Sequence, residues 1–312
     1  MEMGKNDGIL LESGTNEMEL LVVTVEGQLF GINVAKVKSI QKFNPDLVSQ
    51  LPDYPECIMG VMQLRESTIP LIDMALTLNI AKSEKDGNEI VIVTEFNNRV
   101  NSFRVDGVKR IFRVSWTQFK PICSIIQSEG TFIIGSVTLG GEEVLVLDLE
   151  QILAMLFPET TIETIREDVI EKAKTIDRSG LHLLFAEDSG LIRSSMVKCL
   201  KSAGFSDLTV FEDGQYAYDH FLKHRDEYLT YGKDKPIVLI TDIEMPRMDG
   251  LALCNKIKKE MGLHNVTVVM FSSLITDQMI AKCQSVGASN WVTKPESNDL
   301  ITKLDVYCGV SA

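Results

Sequence analysis

Ile237-Val238-Leu239-Ile240-Thr241-Asp242-Ile243-Glu244-Met245-Pro246-Arg247-Met248-Asp249-Gly250 reads as an apolar strand that stops on a carboxylate, then a short loop, then a glycine where helical spacing begins. A short aliphatic run of this kind suits a strand buried on both faces. The same unit recurs on either side. Strand runs stand at 181–186, 208–211, 267–271 and 290–293, with helical spacing at 190–202, 214–223, 250–261, 277–286 and 297–307. Five strands alternating with five helices predict a parallel sheet covered on both faces, the α/β flavodoxin-like (βα)5 pattern.

Functional residues of such a sheet gather at the carboxyl ends of its strands. Those ends carry Glu187 and Asp188, Asp242, Ser272 and Lys294. Any one of them alone is an ordinary solvated strand end; together, from four strands, they make a site. Clustered carboxylates repel one another, and a hard divalent cation bound through oxygen relieves that repulsion. Mg²⁺ suits a few carboxylates, waters and a phosphate oxygen. An Asp carboxylate can act as nucleophile toward a phosphoryl group, a transfer that asks for positioning and charge neutralisation. Lys294 would neutralise phosphoryl oxygens, and the Ser272 hydroxyl would donate a hydrogen bond to another.

These residues stand in Phe185-Ala186-Glu187-Asp188-Ser189, Thr241 to Gly250, Met270-Phe271-Ser272-Ser273 and Trp291-Val292-Thr293-Lys294-Pro295. The set resembles the receiver domain of two-component response regulators over about 179–312. The resemblance implies Asp242 as phosphoacceptor and Glu187, Asp188 and Asp242 as Mg²⁺ ligands, with the backbone carbonyl of Glu244 helping. It implies Ser272 and Trp291 as switch residues and Lys294 as the phosphoryl-contacting lysine. Glu187 stands where Asp is commoner, Ser272 where Thr is commoner, and Trp291 where Tyr or Phe is usual.

The first half reads differently. Residues 1–16 are polar and Gly-rich, a flexible tail. From 17 to 157 the pattern is mostly β: a hairpin turning at Glu26-Gly27, then short runs at 89–96, 101–105, 131–139 and 143–149. An internal repeat runs through it. Gly60 precedes Asp73 by 13 residues and Gly135 precedes Asp148 by 13, each in a strand–turn–strand unit whose Asp could cap a short helix. Two similar β subdomains, barrel-like, are the expectation. Residues 158–179 predict an amphipathic helical linker. Thr160 and Glu163 fit a capping box, and Ile162, Ile165, Val169, Ala173 and Ile176 form an apolar stripe resting on one of the two domains.

The first half holds no catalytic cluster, so a binding module is the default. Phe30-Gly31-Ile32-Asn33-Val34-Ala35-Lys36-Val37, Met59 to Arg65, Ile69 to Asp73 and Val105-Asp106-Gly107-Val108 resemble the chemotaxis coupling family CheW, whose fold is two small β-barrels. Glu66 stands where that family often has Gly. Arg65, at a hairpin turn, is the residue singled out for partner contact, with an ordinary surface arginine as the plain alternative. The CheW-like half joined to a receiver resembles the adaptor family CheV. That resemblance implies coupling of methyl-accepting chemoreceptors to the histidine kinase CheA, modulated at Asp242, in the cytoplasm at receptor arrays. It also implies no independent enzyme turnover.

Bulk properties agree. A net charge of −13 disfavours nucleic-acid binding. The six cysteines form no CxxC pair and lie in mostly apolar stretches, which reads as buried thiols rather than a zinc site. No apolar run reaches membrane-spanning length. A haloacid-dehalogenase-type hydrolase would want Asp where Glu244 stands, and a transcriptional regulator would want a DNA-binding domain. A phosphate sink that drains the kinase remains open at this level.

Overall fold

A computed structural model describes residues 17–65, 67–81, 87–97, 99–122, 132–158, 165–172, 176–231 and 235–309. The chain opens with a hairpin, β1 (Glu17–Val25) and β2 (Gln28–Asn33), turning at Glu26 and Gly27, both of positive φ. It then departs to build a separate six-stranded sheet from β3 (Val37–Lys42), β4 (Val48–Ser49), β5 (Ile58–Leu64), β6 (Ser67–Asp73), β7 (Ile90–Phe96) and β8 (Arg99–Val105). It returns as β9 (Gly107–Ser115), β10 (Lys120–Pro121), β11 (Ile133–Leu139) and β12 (Glu142–Leu147), which complete the first sheet in the order β10-β11-β12-β2-β1-β9.

The run 20–25 is apolar except for Thr24 because β1 is buried on both faces. Alternation sends Leu20 and Val22 to a core with Val114, Val137 and Val144. Leu21, Val23 and Val25 go to a second core, shared with Ile72, Phe103 and Leu149, that joins the two sheets.

The internal repeat is real at backbone level. β5–β6 and β11–β12 are antiparallel hairpins, each with a register shift at its glycine, Gly60 and Gly135. Neither glycine has room for a Cβ: it would lie 2.2 Å from the Ser49 carbonyl oxygen in one case and 2.5 Å from that of Lys120 in the other. Each hairpin ends on the expected cap. Asp73 accepts from Leu76 N–H to start α1 (Met74–Thr77), and Asp148 from Gln151 N–H to start α2 (Leu149–Leu156). Each second strand also pairs in parallel with an outside strand, β6 with β8 and β12 with β2.

In the second half, β13 (His182–Ala186), β14 (Leu208–Phe211), β15 (Ile237–Thr241), β16 (Val266–Ser272) and β17 (Asn290–Thr293) form one all-parallel sheet ordered β14-β13-β15-β16-β17. The helices are α4 (Gly190–Ser202), α5 (Gly214–Lys223), α6 (Arg225–Tyr231), α7 (Gly250–Asn255), α8 (Asp277–Val286) and α9 (Ser297–Asp305), and they cover both faces over two separate cores. This is the doubly wound order, with the switch point between β13 and β15. α6 was not expected, and α7 runs into a π-helical turn over Lys256–Glu260.

Between the halves, the structure shows α3 (Glu167–Lys172). Ile165 and Val169 pack into the receiver-side core with Leu300 and Leu304, so that part of the stripe rests on the second half. Arg178, fully buried, fastens the segment. It forms a two-pronged pair with Asp305 at 2.7 and 2.8 Å and donates to the Ala203 carbonyl at 2.6 Å. The Thr160–Glu163 capping box, Ile162, Ala173, Cys123 and Glu66 lie outside the described residues.

Candidate functional site

The strand ends converge as the alternation implies. Glu187 and Asp188 follow β13, Asp242 follows β15, Ser272 closes β16 and Lys294 follows β17. Glu187, Asp242, Ser272 and Lys294 are buried, and Asp188 is partly open to a cleft. Lys294 Nζ sits 2.8 Å from Asp242 Oδ2 and 2.8 Å from Glu187 Oε2. Asp242 Oδ1 accepts the N–H of Ile243 at 2.6 Å, which fixes the carboxylate with its second oxygen toward the lysine. Gly250 holds this turn close, since a Cβ there would lie 2.0 Å from the Asp242 carbonyl oxygen. The Ser272 hydroxyl oxygen accepts Leu274 N–H at 3.4 Å. Trp291 is half-buried and packs its ring against the core on the α7 and α8 face.

Carboxylate oxygens of Glu187, Asp188 and Asp242 all lie within 4.8 Å of one another. Burial pushes the Glu187 carboxyl up, reinforced by Asp242 and opposed by Lys294. Burial, then Glu187 and Asp242, push Asp188 well up. Glu187 Oε2 is held by the Lys294 ion pair. Three clustered carboxylates, whose mutual repulsion Lys294 offsets only in part, fit a hard divalent cation.

The cleft has a second wall, which sequence reasoning missed. The coupling half lines it with Asn33, Lys36, Trp116 and Glu150, facing Asp188, Asp242 and Glu244. Lys36 Nζ bridges Glu150 Oε1 at 2.8 Å and Glu244 Oε2 at 3.1 Å, and Asn33 Nδ2 donates to Glu244 Oε1. The Ser273 hydroxyl donates to Glu150 Oε1 at 2.8 Å, and Lys294 Nζ lies 3.7 Å from Glu150 Oε2. Burial opposes the charge on Glu150, but Lys36 and Lys294 override it and hold the carboxyl at about 2. Burial would likewise strip Lys36 of its proton, yet Glu150 and Glu244 hold it on. The Glu244 side chain thus points to the other half. Arg65 stands exposed at the β5–β6 turn with φ of 55°.

Two family models match the chain. Residues 19–157 match the CheW-like domain and residues 183–305 the response regulator receiver domain. Among solved structures, the scaffolding protein CheW of Thermoanaerobacter tengcongensis aligns at 21% identity and TM-score 0.39, covering 42% of this chain and 88% of its own. Chemotaxis protein CheY4 of Vibrio cholerae aligns at 22% and TM-score 0.34, covering 41% and 98%. The two family matches define the class, a CheW-like module joined to a receiver. Chemotaxis protein CheV3 of Helicobacter pylori is 32% identical over 283 residues, 87% of this chain and 86% of that protein. The chain belongs to the CheV family, and it is a chemotaxis adaptor carrying a receiver domain. Among the described residues no helix is long and apolar enough to cross a membrane.

Proposed function

We propose that the chain couples methyl-accepting chemoreceptors to the histidine kinase CheA at receptor arrays, and that phosphorylation of Asp242 modulates the coupling. The observation that carries this reading is Lys294 held 2.8 Å from a buried Asp242 inside a cluster of carboxylates. Asp242 is the phosphoacceptor. Its carboxylate oxygen attacks the phosphorus of a phosphohistidine, the P–N bond breaks, and the imidazole nitrogen keeps the bonding pair and takes up a proton. Lys294 and the Ser272 hydroxyl bind the phosphoryl oxygens, and Trp291 answers the change at Ser272.

Glu187, Asp188, Asp242 and the backbone carbonyl of Glu244 would hold Mg²⁺, which supplies positive charge against the phosphoryl oxygens. Asp188, partly open to the cleft, and buried Glu187 would supply the acidic pair of that site. The aspartyl phosphate is lost by hydrolysis in the same site, with no independent substrate turned over. A phosphate sink would use the same residues; the contact between this site and the coupling half favours the modulator.

The test is labelling of the full chain with phosphorylated kinase or a small acyl phosphate and Mg²⁺. One acid-stable, base-labile phosphoryl group is expected, and none on Asp242→Asn. A fully labelled D242N chain would overturn the assignment.

A further inference from the structure

Asp242 and Glu150 of the coupling half line one cleft and both approach Lys294. The Glu150 carboxylate is 9% exposed and is held by Ser273 Oγ and Lys36 Nζ, each at 2.8 Å, with Lys294 Nζ 3.7 Å away. Two of these three partners, Ser273 and Lys294, belong to the receiver half. Lys294 is the cation bonded to Asp242, and Ser273 directly follows Ser272. We propose that Glu150 is a positioning residue of the phosphorylation site. Its carboxylate occupies the anion seat beside Asp242 when the site is empty, and a phosphoryl group expels it and unlatches the two halves. The proposal rests on Asp242 being the phosphoacceptor.

Charge forces the exchange. A phosphoryl group carries about −1.5 to −2 at neutral pH with strong acceptor oxygens. Lys294 already serves Asp242 and Glu187. Phosphoryl oxygens within reach of Lys294 Nζ come into contact with Glu150, whose charge is equally buried, and like charges at that separation repel strongly away from water.

The expulsion is coupled to the rest of the interface through residues 272–274. The Ser273 carbonyl accepts Asn97 N–H from the coupling half at 3.0 Å. Leu274, 5% exposed, is buried in the coupling-half core with Phe96, Leu149 and Leu153. Ser272 Oγ meanwhile accepts Leu274 N–H. Turning the Ser272 hydroxyl toward a phosphoryl oxygen therefore disturbs the backbone that carries Ser273 and Leu274 into the other half. One three-residue segment serves both the phosphoryl site and the domain contact.

The experiment uses the full chain, Mg²⁺ and radiolabelled acetyl phosphate. In that reaction an Asp242 oxygen attacks phosphorus, the P–O bond to the acyl group breaks, and acetate leaves with the bonding pair. Amide hydrogen exchange is followed in peptides holding Asn97 and Leu274. Phosphorylated wild type should exchange there roughly 5-fold faster or more than unphosphorylated chain. Glu150→Gln, which keeps shape and removes charge, should exchange fast without donor and take up label several-fold faster than wild type. A residue that only stabilised the fold would not raise the labelling rate.

Wild type that takes label at Asp242 with unchanged exchange overturns the proposal, as does E150Q labelling at the wild-type rate. Should E150Q not fold, the wild-type comparison decides alone. A wild-type chain that takes no label removes the phosphoacceptor itself, and the proposal with its premise.

Discussion

The two β units of the coupling half share one corner and use it in opposite ways. In the first, Asp73 caps α1 and its other carboxylate oxygen takes Arg104, its register partner on β8. The corner closes on itself, and two residues past the cap stands buried Ala75. In the second, Asp148 caps α2, and the β2 register continues to Asn33 at the place of Arg104. Asn33 reaches instead to Glu244, and two residues past the cap stands Glu150, turned to Ser273 and Lys294. A repeated scaffold has kept the hairpin and cap in both copies. In one copy it has replaced an internal ion pair and a methyl group by polar groups aimed at the receiver. The cap is structural in both copies, and in the second the residues beside it make the contact with the receiver.

Breaking the closed corner should have the largest effect. Asp73→Ala removes a cap and leaves part-buried Arg104 short of its main partner. A loss of roughly 3 kcal/mol is expected, read as the midpoint of chemical denaturation. The receiver's acidic cluster should respond to pH next. Glu187 is raised from an ordinary 4.5 to about 8, and Asp188 moves the same way, so the folded state keeps protons that the unfolded chain has released. Stability without metal should therefore fall as pH rises from about 4.5 to about 8. Mg²⁺ should restore it, more at the alkaline end, and Asp188→Asn should flatten the fall and weaken Mg²⁺ binding. A melting temperature that climbs through this window without metal would contradict the assigned burial.

Opening the second corner should cost less. Asp148→Ala loses only the α2 cap, about 1 kcal/mol, and the contrast with Asp73→Ala measures how far the copies have diverged. The smallest stability effect is expected at Arg65, exposed at its turn. Arg65→Glu should leave the denaturation midpoint unchanged within error while weakening receptor and kinase binding in a pull-down. Unchanged binding would return Arg65 to the ordinary surface.

The receiver was legible because its grammar is local. Each strand is a short apolar run, and each residue of the cluster sits where such a run stops, so the convergence of Glu187, Asp188, Asp242, Ser272 and Lys294 could be expected without coordinates. The two caps of the repeat, Asp73 and Asp148, were legible for the same reason. β9 was not, because Lys109, Arg110 and Arg113 interrupt its apolar alternation, although backbone pairing with β1 holds it. Lys36 and Glu150 were illegible as site residues. Glu150 looks like any acidic residue in a first helical turn, where the helix dipole favours it. Its partner Lys36 is 114 residues away, and Ser273 is 123. No periodicity or spacing encodes a contact made only when two independently folded layers meet. The same limit applies to the linker. Its stripe was visible, but the choice of receiver as its seat is made by Leu300, Leu304 and the Arg178–Asp305 pair.

On the proposed function, phosphorylation at Asp242 is read by the attached coupling half. The most direct test is the affinity of the full chain, phosphorylated and unphosphorylated, for assembled chemoreceptor–kinase complexes, with kinase activity followed in the same samples. A several-fold difference in affinity is expected, lost in D242N, in line with a coupling of about 1–3 kcal/mol. Identical affinities and identical kinase activities would contradict the account and leave the receiver as a sink for phosphoryl groups.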